Sequence, residues 1–199
     1  MSVAAADPVE ADLLAKAQGG NLFAFEEIVR RHQRRVYGVA LRIVRRHEVA
    51  DDVAQEAFIR AYQSLASFDL GRPFAPWICR IAANLAVNHV RSPEAREEAL
   101  PEGHAEMPAR EGGSGPLDGV LEGEARRVLQ RAMERLPVEQ RAVFTLRAVE
   151  ELSYREIADA LGISIGTVMS RLSRAREKLR EAVLPYLGPA AARARGDER

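Results

Sequence analysis

Between Ser164 and Arg180 the chain carries five basic side chains (Arg171, Arg174, Arg176, Lys178 and Arg180) against one acid, Glu177, a local net charge of +4. Guanidiniums at that density clamp phosphates, or pair with guanine edges for ~1–3 kcal/mol of discrimination each. Gly166, Ser170 and Ser173 lie among them and are small enough to let a backbone or base come close. A second polar set, Arg80, Asn84, Asn88 and Arg91, recurs at spacings of 4, 4 and 3, one stripe of a helix. Asparagine both donates and accepts and can read a base edge, while flanking arginines hold phosphates. Phe68, Phe74 and Trp77 lie in or beside a Gly/Pro loop next to these cations. An unstacked base can rest on such rings, at ~1–3 kcal/mol per base. On spacing alone the Asn/Arg stripe fits an ordinary solvated face equally well, and Trp77 fits core packing better. A third set, Asp51, Asp52, Gln55 and Glu56, makes an acidic helix start, which dipole compensation explains without any partner.

The elements that must position these residues read as helices. Ser153 and Glu156 form a capping box, so a short helix begins there and buries Ile157, Ala158 and Leu161. Gly162 supplies a turn, Ile163 plugs it, and Ser164 caps a second helix whose Val168, Leu172, Ala175 and Leu179 are spaced 4, 3 and 4. A short helix, a tight turn and a longer helix with a polar outer face suit the major groove. Farther upstream, Phe25, Ile28/Val29, Val36, Val39/Ala40 and Ile43 recur at helix spacing after Asn21, a capping residue. Two more amphipathic runs follow, one through Val53, Ala57/Phe58, Ala61/Tyr62 and Leu65, the other through Ile78, Ile81, Leu85 and His89.

Residues 93–122 break this pattern with four prolines, five glycines and eight carboxylates against two arginines, a net charge of −6. Such a segment buries too little apolar surface to offset its ordering entropy and is expected to be a flexible acidic linker. The expected organisation is all-α: two small helical lobes at 9–92 and 123–187, with a disordered tail at 188–199. The whole chain, 199 residues with 29 Lys+Arg and 29 Asp+Glu, is neutral, so only the local charge distribution argues for nucleic acid. No apolar run approaches the ~20 residues of a membrane span, and the first residues lack the pattern of a signal peptide. A single cysteine, Cys79, excludes an internal disulfide, and the four histidines lie in no metal-ligand spacing. Cys79, on an amphipathic run beside Trp77, is expected to be a buried structural thiol. No cofactor and no covalent chemistry are expected, and the compartment is expected to be the cytoplasm. A free-standing helix-turn-helix regulator is the alternative that these features leave open.

Taken together, these residues resemble the extracytoplasmic-function (ECF) group of bacterial RNA polymerase sigma factors. FEEIVRRHQRRVYGVALRIV resembles the opening helix of that group's first domain, region 2. ADDVAQEAFIRAYQSL resembles its polymerase-clamp-binding helix, and FAPWICRIAANLAVNHVR its promoter −10 helix. LPVEQRAVFTLRAVEELSYREIADALGISIGTVMSRLSRAREKL resembles region 4, the helix-turn-helix domain that reads the −35 element. The helix-turn-helix alone also resembles LuxR-type regulators; the ordered set is the specific feature. The resemblance implies that Asp52, Gln55 and Glu56 dock on the clamp helices of the largest polymerase subunit, while the second domain meets the flap of the next largest. It implies −10 contacts by Arg80, Asn84, Asn88 and Arg91, with capture of an extruded base by the loop from Phe68 to Phe74. It implies −35 contacts by Gly166, Thr167, Met169, Ser170, Arg171, Ser173 and Arg174. It also implies an anti-sigma partner, and a linker that threads past the polymerase active site. Three positions depart from the group's pattern: Met169 stands where a basic residue is common, Asn88 where aspartate is common, and Ile165 where proline is common.

Overall fold

The computed structural model describes residues 7–93 and 127–186, and every described element is a helix or turn. The acidic segment 93–122, apart from Pro93, and the tail from residue 188 lie outside the described residues.

In the first lobe, α1 (Pro8–Gln18) begins where Asp7 accepts a hydrogen bond from the Val9 N–H at 3.1 Å and Pro8 presets the first helical φ. Its Leu14 and Ala17 are buried. Gln18 donates to the carbonyls of Leu65 and Phe68, both at 2.8 Å, tying α1 to the loop that precedes residue 74. The expected cap at Asn21 opens α2 (Leu22–Val44), accepting from the Ala24 N–H at 3.1 Å. Ile28, Val36, Val39, Ala40 and Ile43 of α2 are buried, while Phe25 and Val29 are half-buried. The helix stops at Arg45, whose φ of 67° turns the chain into α3 (His47–Ser64). α3 and α4 (Phe74–Arg91) then pack on α2 and on each other.

α4 is rotated relative to the expected face. Ile78 is buried, but Ile81, Leu85 and His89 are only half-buried. The helix instead turns Cys79, Ala82, Ala83, Ala86 and Val87 inward. Alanines let neighbouring backbones approach closely, and close packing here outweighs the larger side chains.

The second lobe holds α5 (127–134), α6 (Val138–Ala148), α7 (Tyr154–Leu161) and α8 (Ile165–Val183). The capping box forms as expected: Ser153 Oγ accepts from the Glu156 N–H at 3.3 Å, and the Glu156 carboxylate accepts from the Ser153 N–H at 2.8 Å. Gly162 (φ 62°) takes the left-handed conformation that turns α7 into α8, and Ser164 caps α8 by accepting from the Thr167 N–H at 3.1 Å. Val168, Leu172, Ala175 and Leu179 are all buried. Ala175 and Leu179 pack with Ala132, Met133 and Leu136 in a small satellite cluster.

The lobes do not keep separate cores. One apolar cluster runs from Leu14, Ile28 and Ile78 of the first lobe to Val143, Leu146 and Ile157 of the second. α6 lies against α2 and α4, and α7 against α4. Arg141 of α6 is buried and donates Nε and Nη2 to the Ile43 carbonyl at 3.0 and 2.7 Å, capping the C-terminal turn of α2. Ion pairs Arg35–Glu150 (2.6 Å), Arg91–Glu139 (3.0 Å) and Arg45–Glu134 (3.3 Å) cross the same boundary.

Candidate nucleic-acid interface

The outer face of α8 is set by its buried stripe. With Val168, Leu172 and Ala175 turned inward, Gly166, Met169, Ser170, Ser173 and Arg174 are exposed, and Thr167 and Arg171 are half-buried. The N-terminal turn is locally organised. Ser164 and Thr167 hydroxyls lie 2.8 Å apart, and the Ser170 hydroxyl donates to the Thr167 carbonyl at 3.1 Å. A Cβ on Gly166 would meet nothing nearer than the Ser164 hydroxyl at 3.8 Å, so no internal packing demands glycine there. Its effect is to lower the surface at the helix N-terminus, where backbone N–H groups favour phosphate. Met169, 54 % exposed, and Ile165, 46 % exposed one turn before it, are the apolar side chains on this face.

On α4, Asn84 and Asn88 are exposed one turn apart, as their spacing predicts. Of the two flanking arginines, one is paired within the chain. Arg91 donates from Nε and Nη2 to one oxygen of Glu139 at 3.1 and 3.0 Å. Arg80 is half-buried, and its Nε is buried without a hydrogen-bond partner. Burial pushes the Glu156 carboxyl up, yet the Ser153 hydroxyl and N–H, with Arg80 and Arg72 nearby, hold it below the ordinary carboxylate value. Glu139 behaves alike: burial opposes ionisation, while its own N–H, Arg91 and Arg171 outweigh it.

Phe68 and Phe74 require a correction. Both are buried, Phe74 completely, and their rings pack on Trp77 at 4.6 and 5.4 Å and on each other at 5.8 Å. His32 of α2 closes the cluster over Phe74 at 5.2 Å. In this arrangement neither ring offers a face to a base. They anchor the loop between them, whose exposed residues are Asp69, Gly71 and Arg72. Asp69 folds that loop by accepting from the Gly71 N–H at 2.9 Å and pairing with Arg72 at 3.4 Å.

On α3, Asp52 and Gln55 are exposed, and Glu56 is half-buried and paired with Arg60 at 2.6 Å. The stripe continues one turn farther into Ile59 and Tyr62, both exposed, with Tyr62 against Phe25 at 4.9 Å. Their place in the 3/4 spacing from Gln55 and Glu56 was the available signal.

Cys79 is buried, as expected, and lies with Arg35 and Glu150 at the boundary between the lobes. Burial and the neighbouring Glu150 carboxylate push its thiol far above the ordinary range. Among the described residues no cluster of three or more His, Cys, Asp or Glu side chains could hold a metal ion, and no helix is long and apolar enough to cross a membrane.

Comparison with known proteins gives the family. Residues 28–96 match the family model described as Sigma-70 region 2, and residues 126–179 match Sigma-70, region 4. The chain is 37 % identical over 185 residues to the ECF RNA polymerase sigma-E factor of Escherichia coli, covering 88 % of this chain and 94 % of that one. It is 35 % identical over 176 residues to the ECF RNA polymerase sigma factor SigW of Bacillus subtilis, covering 84 % and 93 %. Among solved structures it is similar to the sigma factor RpoE in complex with the anti-sigma factor NepR from Bartonella quintana (TM-score 0.62, 25 % identity, 80 % of this chain and 96 % of that one). It is also similar to CnrH in complex with the cytosolic domain of CnrY (TM-score 0.55, 28 % identity, 96 % and 99 %).

Proposed function

Since the chain belongs to the ECF group of sigma factors, alternative sigma factors that direct promoter-specific transcription, we propose that it does so through three surfaces. The exposed face of α8, from Gly166 to Arg174, reads duplex −35 DNA. Asn84 and Asn88 read the −10 strand while Arg80 and Arg91 hold its phosphates. The exposed loop 69–73 receives the extruded base. Asp52, Gln55 and Glu56 dock on the clamp helices of core RNA polymerase, and the second lobe on its flap. The observation that carries this reading is the pairing of two exposed polar faces, α8 and Asn84/Asn88, each on its own sigma region.

Neither face alone has the charge for tight binding. Held on polymerase at the promoter spacing, the two bind as one, because the second contact becomes intramolecular and gains from effective concentration. Binding energy spent on an unstacked base then favours the melted strand. This chain supplies recognition and positioning, and polymerase supplies the bond-forming chemistry. An anti-sigma factor is the expected regulator, in line with the partners seen on the two similar structures.

The direct test is transcription by purified core polymerase on a pool of promoter fragments, with and without this protein. New start sites that share upstream −10 and −35 boxes are the expected result. Absence of new starts, with no co-migration with core polymerase, would leave a free-standing helix-turn-helix regulator as the account.

A further inference from the structure

α1 is seated on both ends of the loop between α3 and α4. At the upstream end, Gln18 Nε2 donates to two carbonyls, those of Leu65 and Phe68, each at 2.8 Å. An amide nitrogen carries two hydrogens, and both are used here. The Leu65 carbonyl also closes the single turn Leu65–Ser67 by accepting from the Phe68 N–H at 2.9 Å. At the downstream end, Glu10 of α1 meets Nε2 of His32 at 2.6 Å, and the His32 ring lies 5.2 Å from that of Phe74, the first residue of α4. Residues 10, 14, 17 and 18 fall on one face of a helix, and Leu14 and Ala17 between the two polar anchors are buried. That whole face of α1 is therefore committed to its neighbours in the first lobe. The span between the anchored ends stays at the surface, with Asp69, Gly71 and Arg72 exposed. α1 also lies upstream of the residues that match region 2, which begin at residue 28.

We propose that Gln18 is a positioning residue for base capture: by holding the Phe68 carbonyl it sets the direction in which the chain enters loop 69–73. The proposal rests on the reading of that loop as the receiver of the extruded base. The Phe68 carbonyl and the Asp69 N–H belong to one planar peptide, so holding the first orients the second. Asp69 then folds the loop by accepting from the Gly71 N–H at 2.9 Å. The Phe68 ring is packed on Trp77 and Phe74, but ring packing places the side chain and leaves the following peptide plane free to turn. Gln18 supplies the missing constraint. A loop whose entry is set in advance does not have to be ordered when the base arrives, and that ordering cost is otherwise subtracted from binding. Gln18 acts in this way without touching DNA.

The test uses the full-length protein on core polymerase, with a promoter fragment already unpaired at the −10 element and one abasic site moved along its non-template strand. The ratio of affinities for intact and abasic DNA measures capture at each position. In wild type one position should cost about tenfold, the scale of one stacked base. Q18M keeps the length of the side chain and removes both donors. Its ratio at that position should fall to about twofold or less, with affinity for the abasic fragment unchanged. Q18K brings back N–H donors on a chain of similar reach and should restore the ratio to within about threefold of wild type. An unchanged ratio in Q18M overturns the role of Gln18 and leaves base capture standing. A ratio that stays low in Q18K, or a loss shared equally by intact and abasic DNA, also overturns it, since the side chain would then serve only the stability of the fold. Indifference of the wild type to every abasic site overturns the reading of the loop and the role of Gln18 together. A second readout needs neither DNA nor polymerase. Trp77 is the chain's sole tryptophan and its ring lies 4.6 Å from that of Phe68. Quenching of its emission by iodide should rise about 1.5-fold in Q18M, as the loop loosens locally, and return in Q18K. Quenching that is the same in wild type and Q18M overturns the hold of Gln18 on the loop, whatever the polymerase assay gives.

Discussion

The two polar faces differ in how they are kept. The α8 face is bare: its contact residues are small or exposed, and their backbone is ordered by Ser164 and Gly162 within one short motif. The α4 face is partly engaged: Asn84 and Asn88 are exposed, Arg91 is paired with Glu139 of the second lobe, and Arg80 is half-buried. Duplex DNA is present before any opening, so a face that reads it can stand ready. On the reading proposed above, a face that captures an unstacked base is useful only after docking. On that reading, duplex recognition rests on local geometry, whereas the face on α4 is flanked by a contact between the lobes.

The sharpest challenge to that picture lies at Phe74. As a completely buried ring it should cost about 3–5 kcal/mol of stability when cut to alanine, seen as a large drop in the thermal midpoint. A stable F74A protein that fails only in strand opening would return the ring to the base-stacking surface. Next, R174A should weaken binding to a −35 duplex by about 1–3 kcal/mol and lower the salt slope by about one, in the free protein as in the polymerase complex. An effect seen only with polymerase would mean that the α8 face is engaged within the chain too. Smaller still, S153A removes the cap of α7 and should cost about 1 kcal/mol, measured by denaturant unfolding. The smallest effect concerns α1. The Glu10 carboxyl is held below its ordinary value, first by its hydrogen bond from His32 at 2.6 Å. The stabilisation from this pair is therefore present above the ordinary glutamate pKa of about 4.3 and is lost as pH falls through the lowered one. An acid titration should show this step in wild type and not in E10Q.

What was legible in the sequence was local. Ser153, Gly162 and Ser164 announce the helix-turn-helix because caps and left-handed turns are read within four residues, and the buried stripe of α8 follows from its spacing. Asp7–Pro8 carried a comparable signal for α1. The inward face of α4 was harder to see, since Ala82, Ala83 and Ala86 compete poorly with Ile81 and Leu85 in a count of hydrophobicity but allow the closer helix contact. Aromatic residues beside cations suggest stacking equally well when buried, which is why Phe68 and Phe74 were misplaced. Arg35 and Glu150 meet across 115 residues of sequence, and Arg141 reaches the Ile43 carbonyl across 98. No spacing rule connects such pairs, so the packing of the lobes on each other was visible only in three dimensions.

The most direct measurement is permanganate reactivity of promoter thymines in complexes of core polymerase with wild type or with the N84A/N88A double variant. Wild type should expose reactive thymines at the −10 element. The double variant should keep −35 protection and core binding while losing that reactivity by about a hundredfold, the sum of two base contacts of about 1–3 kcal/mol each. Equal strand opening by the double variant would contradict the assignment of the −10 reading to α4.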